Sequence, residues 1–564
     1  MLFFPFEYNL YFTNFRKNFM KMKQDFRISM IFFWMFVLSS LHGNSQVPQI
    51  KWHFDVKAPS YGQAAYGDID NDGKPEIVFS TYMNDGEIYA LNAEDGSLLW
   101  HYKTGDCNDA APVIYDVDGD GNLEVILASS CITKTYCFDG ATGAVKWETP
   151  TGGTDSPPSI GDIDNDGKPE ILHGEFNGSV ICINGEDGSI AWEKVIDADA
   201  SIQTSAAILD VDGDGQLDFV VASWSYTGSN HIWAFRGDNQ QQIWVSSLPT
   251  DVIYHGASFG DIDGDGKPEL ALGCYDDTVR VLNAEDGSLK WKFGMGDYNY
   301  VGAPVVMADV DNDDLYELIA VGWYKMKAIS STGSEKWNYN IPDYATSFRG
   351  PALSDIDNDG ILELVFGTSE GKVIALEGES GSEKWVLDLA ADYGDTLDID
   401  HAPVIGDFDG DGKLDGFVVG GHTRYPNIAN DYGRAYCFSL GDGTTPPWTM
   451  FQHDIVRSSC LPTDWHVGIQ DHGKTHDLVV NVAPNPFHDN LRVRVSLSCP
   501  GPIHIDLCDL SGRIIREFAR KDLHTGDFVY DLNFLPGEPV PGTYLLKVRS
   551  GVYSEVRKVV RLSD

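Results

Sequence analysis

An acidic nine-residue pattern, Asp-x-Asp-x-Asp-Gly-x-x-Asp/Glu, begins eight times along this chain, at Asp68, Asp116, Asp162, Asp210, Asp261, Asp309, Asp355 and Asp407, with spacings of 46 to 52 residues. A period of this size held through eight copies is the mark of a repeat architecture, in which each copy is one supersecondary unit stacked on the next. The sixth copy departs from the pattern, with Asp314 where glycine is expected. Asp tolerates a left-handed backbone better than most residues, so ion binding there is weakened rather than excluded.

Carboxylates at positions 1, 3, 5 and 9, with a glycine at 6 for a sharp turn, supply hard oxygen ligands converging on one point, as in the first part of an EF-hand loop. The candidate ligands are Asp68, Asp70, Asp72 and Glu76; Asp116, Asp118, Asp120 and Glu124; Asp162, Asp164, Asp166 and Glu170; and Asp210, Asp212, Asp214 and Asp218. In the second half of the array they are Asp261, Asp263, Asp265 and Glu269; Asp309, Asp311, Asp313 and Glu317; Asp355, Asp357, Asp359 and Glu363; and Asp407, Asp409, Asp411 and Asp415. The flanks are β-branched and aromatic, as in Glu76–Thr81, so these are strand-loop-strand turns rather than helical hands. Such clusters repel themselves without a cation. Up to eight structural Ca²⁺ ions are the expected occupants.

Each repeat reads as four strands. In the first, strand A ends in the Asp68 loop, strand B is Glu76–Thr81, strand C is Glu87–Ala93, and strand D, Ser97–Thr104, follows an Asp-Gly turn and carries Trp100. Tryptophan recurs in phase at 147, 192, 244, 291, 337, 385 and 448. The expected fold is all-β, an eight-bladed β-propeller, with seven blades plus an unattached repeat as the alternative. Trp52 marks a ninth D-like strand, which either completes the last blade or competes with the Trp448 strand for that place.

The acidic loops resemble the FG-GAP/VCBS repeats of integrin α-like propellers. LNAEDGSLLW (91–100), FDGATGAVKW (138–147) and LNAEDGSLKW (282–291) resemble the tryptophan repeats of quinoprotein-like propellers. Together these likenesses cover about residues 50–456. They imply the fold and calcium, and leave the activity open.

The two ends carry different signals. Lys17, Lys21, Lys23 and Arg27 precede the apolar run Ile28–Leu41, the layout of a secretory signal peptide over 1–45. An uncleaved anchor is the alternative, and Met20 or Met22 is an alternative start. Residues 457–477 lose the period and read as a linker after the propeller, 46–456. The tail, 478–564, is a series of short alternating strands with Pro/Gly punctuation, a small immunoglobulin-like β-sandwich pattern. It resembles the C-terminal sorting domain of the type IX (Por) secretion system at Pro484-Asn485-Pro486-Phe487, Asp509 to Arg513, Gly542-Thr543-Tyr544 and Lys558 to Arg561. That likeness implies the type IX machinery as a partner and a secreted or outer-cell-surface protein. An ordinary accessory module is the other reading of this tail.

The formal charge of −45 is uneven: residues 1–45 carry +3 and 478–564 carry +1, leaving −49 on 46–477. No basic stripe exists, which argues against nucleic acid. Nine cysteines in 564 residues do not make a disulfide scaffold. Cys137, Cys182 and Cys437 fall at corresponding places and read as small buried hydrophobes. Cys107 and Cys131 lie equally far either side of Gly119 in a predicted hairpin, which allows a cross-strand disulfide.

With the acidic loops on one face, the residues just before each strand A ring the channel mouth on the other. There the chain does not repeat: Asn108/Asp109, Thr154/Asp155, Gln203/Thr204, Tyr254/His255, Tyr300, Phe348/Arg349 and Asp400/His401. The B–C loops add Tyr82, Phe176, Trp224, Tyr226, Tyr275, Trp323 and Tyr324, and an insertion at Gly420–Tyr436 brings His422 and Arg424. Aromatic platforms beside acids, amides and guanidinium suit a glycan; ordinary loop packing is the plainer reading. The candidate ligand-binding residues are Asp109, Asp155, Trp224, Tyr254, His255, Trp323, Arg349, His401, His422 and Arg424. The favoured function is a non-enzymatic, secreted binding or adhesion module for a glycan or protein ligand. The alternative is a calcium-containing lyase of acidic polysaccharide, in which Tyr254, His255, Arg349 and His401 neutralise a uronate and move a proton. A quinone-dependent dehydrogenase is a third reading, weakened by the lack of two adjacent cysteines. No G-x-S-x-G frame, zinc spacing or phosphate loop is present.

Overall fold

Strand B of the first seven repeats is buried along its whole length on both faces, as in Glu76–Ser80 and Glu124–Ala128, so each sheet must lie between two others. The computed structural model describes residues 47–443, apart from 106, 266, 297 and 314, and most of 478–561. Within 47–443 the chain forms eight four-stranded antiparallel sheets, the blades of a propeller. Blade 1 comprises strand A Ala65–Gly67, strand B Glu76–Ser80, strand C Glu87–Asn92 and strand D Leu98–Lys103. The same order repeats through blade 7, which ends in Glu383–Asp388.

Blade 8 takes strands A to C from Val404–Gly406, Leu414–His422 and Tyr432–Gly441, and its outer strand from the N-terminal segment Ile50–Val56. Trp52 pairs with Cys437 and Asp55 with Arg434 in that register. The N-terminal strand therefore completes the last blade. The competing Trp448 segment lies outside the described residues. The Gly420–Tyr436 insertion, expected as a loop, instead lengthens strands B and C of blade 8: Gly420 pairs with Arg434 and His422 with Tyr432. Two glycines that read as loop punctuation are ladder residues here, because the close approach of Leu397 and Pro59 leaves no room for a Cβ.

The core is a set of seams between successive blades. One cluster joins Val78, Ala90 and Trp100 of blade 1 to Ile114, Leu127 and Phe138 of blade 2. The closing seam joins Val56, Phe417 and Cys437 of blade 8 to Ile77, Phe79 and Leu91 of blade 1. Six of the seams are pinned by a strand-D tryptophan lying over the glycine turn of the next blade. The Trp100 indole donates to the Gly140 carbonyl at 2.6 Å and Trp244 to Ala284 at 2.8 Å. Trp52 does the same across the closing seam, donating to Ala93 at 2.8 Å. A Cβ on Gly96 would lie 2.4 Å from the Trp52 ring, so the flat indole requires a glycine there.

Cys137, Cys182 and Cys437 are buried free thiols in strand C, as is Cys274 in strand B of blade 5. Cys107 and Cys131 form a disulfide with Cα atoms 5.4 Å apart. The tail forms a three-stranded sheet (Leu478–Ala483, Asn490–Leu497, Gly526–Asn533) and a four-stranded one (Gly501–Cys508, Ile514–Leu523, Gly542–Ser550, Tyr553–Arg561). These share a core that includes Val493, Leu532, Ile505 and Leu546. Parts of the type IX resemblance, Pro484 to Pro486 and Asp509 to Arg513, lie outside the described residues. No helix among the described residues is long and apolar enough to cross a membrane.

Truncating Trp52 to alanine removes the indole from the closing seam and a side-chain hydrogen bond with it. Because the ring is only partly buried, the expected loss of stability is about 2–4 kcal/mol, read by urea or thermal unfolding. A change below about 0.5 kcal/mol, the range of ordinary surface substitutions, would show that the N-terminal strand does not carry the closure.

Candidate functional site

The acidic loops join strands A and B, and their own side chains fold them. In blade 1 the Asp68 carboxylate accepts from the Gly73 amide at 3.1 Å, Asp70 from Asp72, and Asp72 from Lys74. The position-nine carboxylate closes the loop: one Glu76 oxygen accepts from the Ile69 amide at 2.9 Å. The same bond runs from Val117 to Glu124, Ile163 to Glu170, Val211 to Asp218, Ile262 to Glu269, Val310 to Glu317 and Ile356 to Glu363. Position 4 adopts positive φ in every loop and is always Asn or Gly, from Asn71 (60°) to Gly410 (74°). The sequence reading caught the left-handed glycine at position 6, such as Gly73 (91°), and passed over position 4. Asp314 lies outside the described residues.

Carboxylate oxygens of Asp68, Asp70 and Glu76 come within 4.8 Å of one another, and so do those of Asp116, Asp118 and Glu124; Asp162, Asp164 and Glu170; Asp210, Asp212 and Asp218; and Asp309, Asp311, Asp313 and Glu317. Burial, with the neighbouring aspartates adding, pushes Glu76 up to about 7. The donor set is all hard oxygen, and fully buried Glu76 keeps one oxygen without a hydrogen-bond partner. These residues fit a calcium-sized ion.

At the other end of each strand A a second regularity emerges. The residue four places before strand A is Tyr61, Asp109, Asp155, Gln203, Tyr254, Gly302, Phe348 and Asp400 in blades 1 to 8. Tyr61, Asp109, Tyr254, Phe348 and Asp400 line one cavity of about 330 Å³, together with Trp323, Thr346 and Arg349. Blades 8, 1, 2 and 3 thus contribute an acid and hydroxyl arc, and blades 5 to 7 an aromatic arc. Gly302 interrupts the ring because a Cβ there would press on Phe348 at 3.1 Å. Trp323 packs tilted against Tyr300, ring centroids 5.0 Å apart, and fills that side from the B–C loop.

Arg349 spans the two arcs. Its guanidinium lies over Tyr254 (5.3 Å) and Phe348 (5.7 Å), and Nη1 donates to His255 Nε2 at 3.1 Å. Its Nε and the Asp109 Oδ1 are buried without a hydrogen-bond partner. Burial lifts Asp109 well above the carboxylate range, and Asp155 beside it lifts it further. Burial also raises Asp155, whose hydrogen bond to Ser130 opposes the shift. Burial and the Asp398 charge hold Asp400 up to about 6, against the pull of Arg349. Burial and Arg349 push His255 well below its usual value, so it is a neutral acceptor.

The structure brings Asp109, Asp155, Tyr254, His255, Trp323 and Arg349 together, and Trp224 contacts Tyr254 edge-on at 4.7 Å. It places three others apart from the cavity lining. His401 is buried against Phe417. His422 pairs with Asp398 at 2.8 Å, and Arg424 pairs with Asp395 at 2.6 Å while covering Tyr432, so both reach from the blade 8 hairpin to acids of the segment before its strand A. Sequence reading missed Tyr61, although the four-residue offset of Asp109 and Asp155 applied to blade 1 points to it. Its hydroxyl meets Thr423 at 3.3 Å.

The FG-GAP-like repeat family matches residues 68–127, 116–173 and 210–272, and the family described as outer membrane protein assembly factor BamB matches 266–478. The chain carries FG-GAP-like repeats on an eight-bladed propeller. It is 26% identical to KICSTOR complex protein ITFG2 of Bos taurus over 137 residues, 22% of this chain and 25% of that protein. It is 22% identical to polyvinylalcohol dehydrogenase of Sphingopyxis sp. (strain 113P3) over 277 residues, 45% of this chain and 36% of that protein. The chain therefore spans about a quarter to a third of the length of these relatives. Among solved structures it is similar to quinohemoprotein alcohol dehydrogenase ADHIIG from Pseudomonas putida HK5 (TM-score 0.51, 14% identity, 72% of this chain and 78% of that one). A europium-containing methanol dehydrogenase is comparable (TM-score 0.51, 13% identity, 70% and 93%). At this identity the likeness shows the fold alone.

A carboxyl group raised from 3.8 to about 6 by folding stabilises the protein below its unfolded value and loses that contribution as pH rises through about 6. Asp400→Asn is therefore expected to match the parent at pH 4 and to exceed it at pH 7. The difference is about 1–2 kcal/mol after allowance for solvent at the mouth, read by denaturant unfolding. A variant equal or less stable at pH 7 would contradict the assigned shift.

Proposed function

We propose that this protein is a calcium-stabilised propeller whose channel mouth binds a hydroxyl-rich ligand, a neutral glycan end, outside the cell or in its envelope. The observation that carries this reading is the two-sided ring four residues before strand A. Aromatic faces on blades 5 to 7 stack on a sugar ring, while acid and hydroxyl groups on blades 8 to 3 take its hydroxyls. The cavity is at the small end of the usual range of about 300–1,000 Å³, enough for a terminal sugar rather than a long chain segment. Three carboxyl groups, Asp109, Asp155 and Asp400, stand around the single guanidinium of Arg349, which disfavours an anionic sugar.

A lyase acting on acidic polysaccharide is the second reading, favoured by the contact of Arg349 with Tyr254 and His255. It needs a base that titrates near the working pH. Burial drives Tyr254 up and His255 down, away from that range, and the acid arc repels a uronate. Calcium in the acidic loops serves the scaffold in our reading, because the same loop recurs in every blade whatever stands at the mouth. Export through the type IX machinery rests on the tail motifs Gly542 to Tyr544 and Lys558 to Arg561.

A glycan array probed with the mature chain should retain neutral glycans. Arg349→Ala and Asp109→Asn should each weaken that binding at least tenfold, the scale of one charge-assisted hydrogen bond. Failure to bind any glycan, or unchanged binding by both folded variants, would overturn the site; unsaturated products from acidic polysaccharides in ultraviolet absorbance would favour the lyase. Excess chelator should lower the unfolding temperature, and calcium should restore it. Unfolding indifferent to chelator would remove the structural calcium.

A further inference from the structure

Strand D of each blade passes the acidic loop of the same blade, and the residue just before its docking tryptophan is the one that meets the carboxylates. In five blades this residue is lysine: Lys146, Lys290, Lys336, Lys384 and, on the N-terminal strand, Lys51. Each ammonium bridges the acids at positions three and nine. Lys146 Nζ lies 2.5 Å from Asp118 and 2.8 Å from Glu124 Oε1. Lys290 lies 2.5 Å from Asp263 and 2.7 Å from Glu269, and Lys384 2.7 Å from Asp357 and 2.6 Å from Glu363. Lys336 and Lys51 repeat the bridge on Asp311 and Glu317 and on Asp409 and Asp415.

Blades 1, 3 and 4 carry Leu99, Ala191 and Ile243 at that place. In blade 1 the carboxylate oxygen that lysine takes elsewhere, Glu76 Oε1, is buried with no hydrogen-bond partner, and so is Asp68 Oδ1. In blade 4 Asp218 Oδ1 is also without a hydrogen-bond partner, as Asp311 Oδ1 is in blade 6, but there Arg236 already pairs with Asp212 and Asp214. A buried carboxylate oxygen aimed into a cluster of acids without a donor requires a cation.

We infer that the eight loops are two kinds of cation site: six already hold a basic side chain of the chain itself, five a lysine ammonium on the position-three and position-nine carboxylates and blade 4 the Arg236 guanidinium on Asp212 and Asp214, and those of blades 1 and 3 are the strong divalent sites. The inference rests on the calcium reading above and refines it. A divalent ion in any of those six blades must enter beside, or displace, a fixed positive charge in contact with two of its ligands. Its affinity there falls accordingly.

Equilibrium dialysis of the full chain, stripped with chelator and titrated with Ca²⁺, should give two tight ions per chain, with further binding at least tenfold weaker. Lys146→Met should raise the tight count to three, and Leu99→Lys should lower it to one, with circular dichroism confirming that both variants fold. Seven or eight equivalent tight sites, or a folded Lys146→Met with an unchanged count, would overturn the sorting and leave the calcium reading standing. No calcium binding at all would overturn both.

Discussion

A tryptophan laid flat on a glycine turn decides whether this chain closes. Each blade is apolar on both faces and has no stable existence alone; it is buried only between a predecessor and a successor. Trp100, Trp147, Trp244, Trp291 and Trp337 each cover a glycine turn of the next blade, and Trp52 does so from the N-terminal strand onto Gly96. That last contact turns a stack into a ring. It places the first described strand and the last propeller strand in one sheet, so no blade edge is left exposed at the join.

Closure fixes which features repeat and which do not. Strand A is only three residues long in each blade, and it separates a loop that recurs eight times from a mouth whose eight positions carry five residue types. On the loop side the chain concentrates negative charge and binds its backbone to its own carboxylates. On the mouth side it concentrates asymmetry: acids on one arc, aromatics on the other, and one arginine between them. The electrostatics follow the same division. Burial raises the position-nine acids even where a lysine opposes the shift, as at Glu124 and Glu363, and it raises Asp109 and Asp155 against the pull of Arg349.

Much of this was legible in the residues. Acids at fixed intervals with a following glycine, and tryptophans in phase, specify blade number and strand order because both signals are local. Closure was not legible. Trp52 and Trp448 sit in similar local patterns, and the choice between them is made by pairing Trp52 with Cys437, some 385 residues away. Position 4 of the loops escaped notice because Asn and Gly alternate there, and only the backbone shows that both serve one left-handed turn. Gly420 and Gly421 read as loop residues, yet they extend a hairpin where neighbouring side chains exclude a Cβ. At the mouth, Asp109, Tyr254 and Arg349 were found by position. His401 and His422 share the residue type and the neighbourhood, but one packs on Phe417 and the other pairs with Asp398.

The central claim is that repetition builds the scaffold and its exceptions recognise the ligand. Hydrogen–deuterium exchange of the calcium-loaded protein, with and without a saturating glycan, tests it most directly. The account predicts new protection confined to the segments before strand A, around residues 61, 109, 155, 254, 348 and 400, with the acidic loops unchanged. Protection centred on the loops that begin at Asp68, Asp116 and their repeats would contradict it.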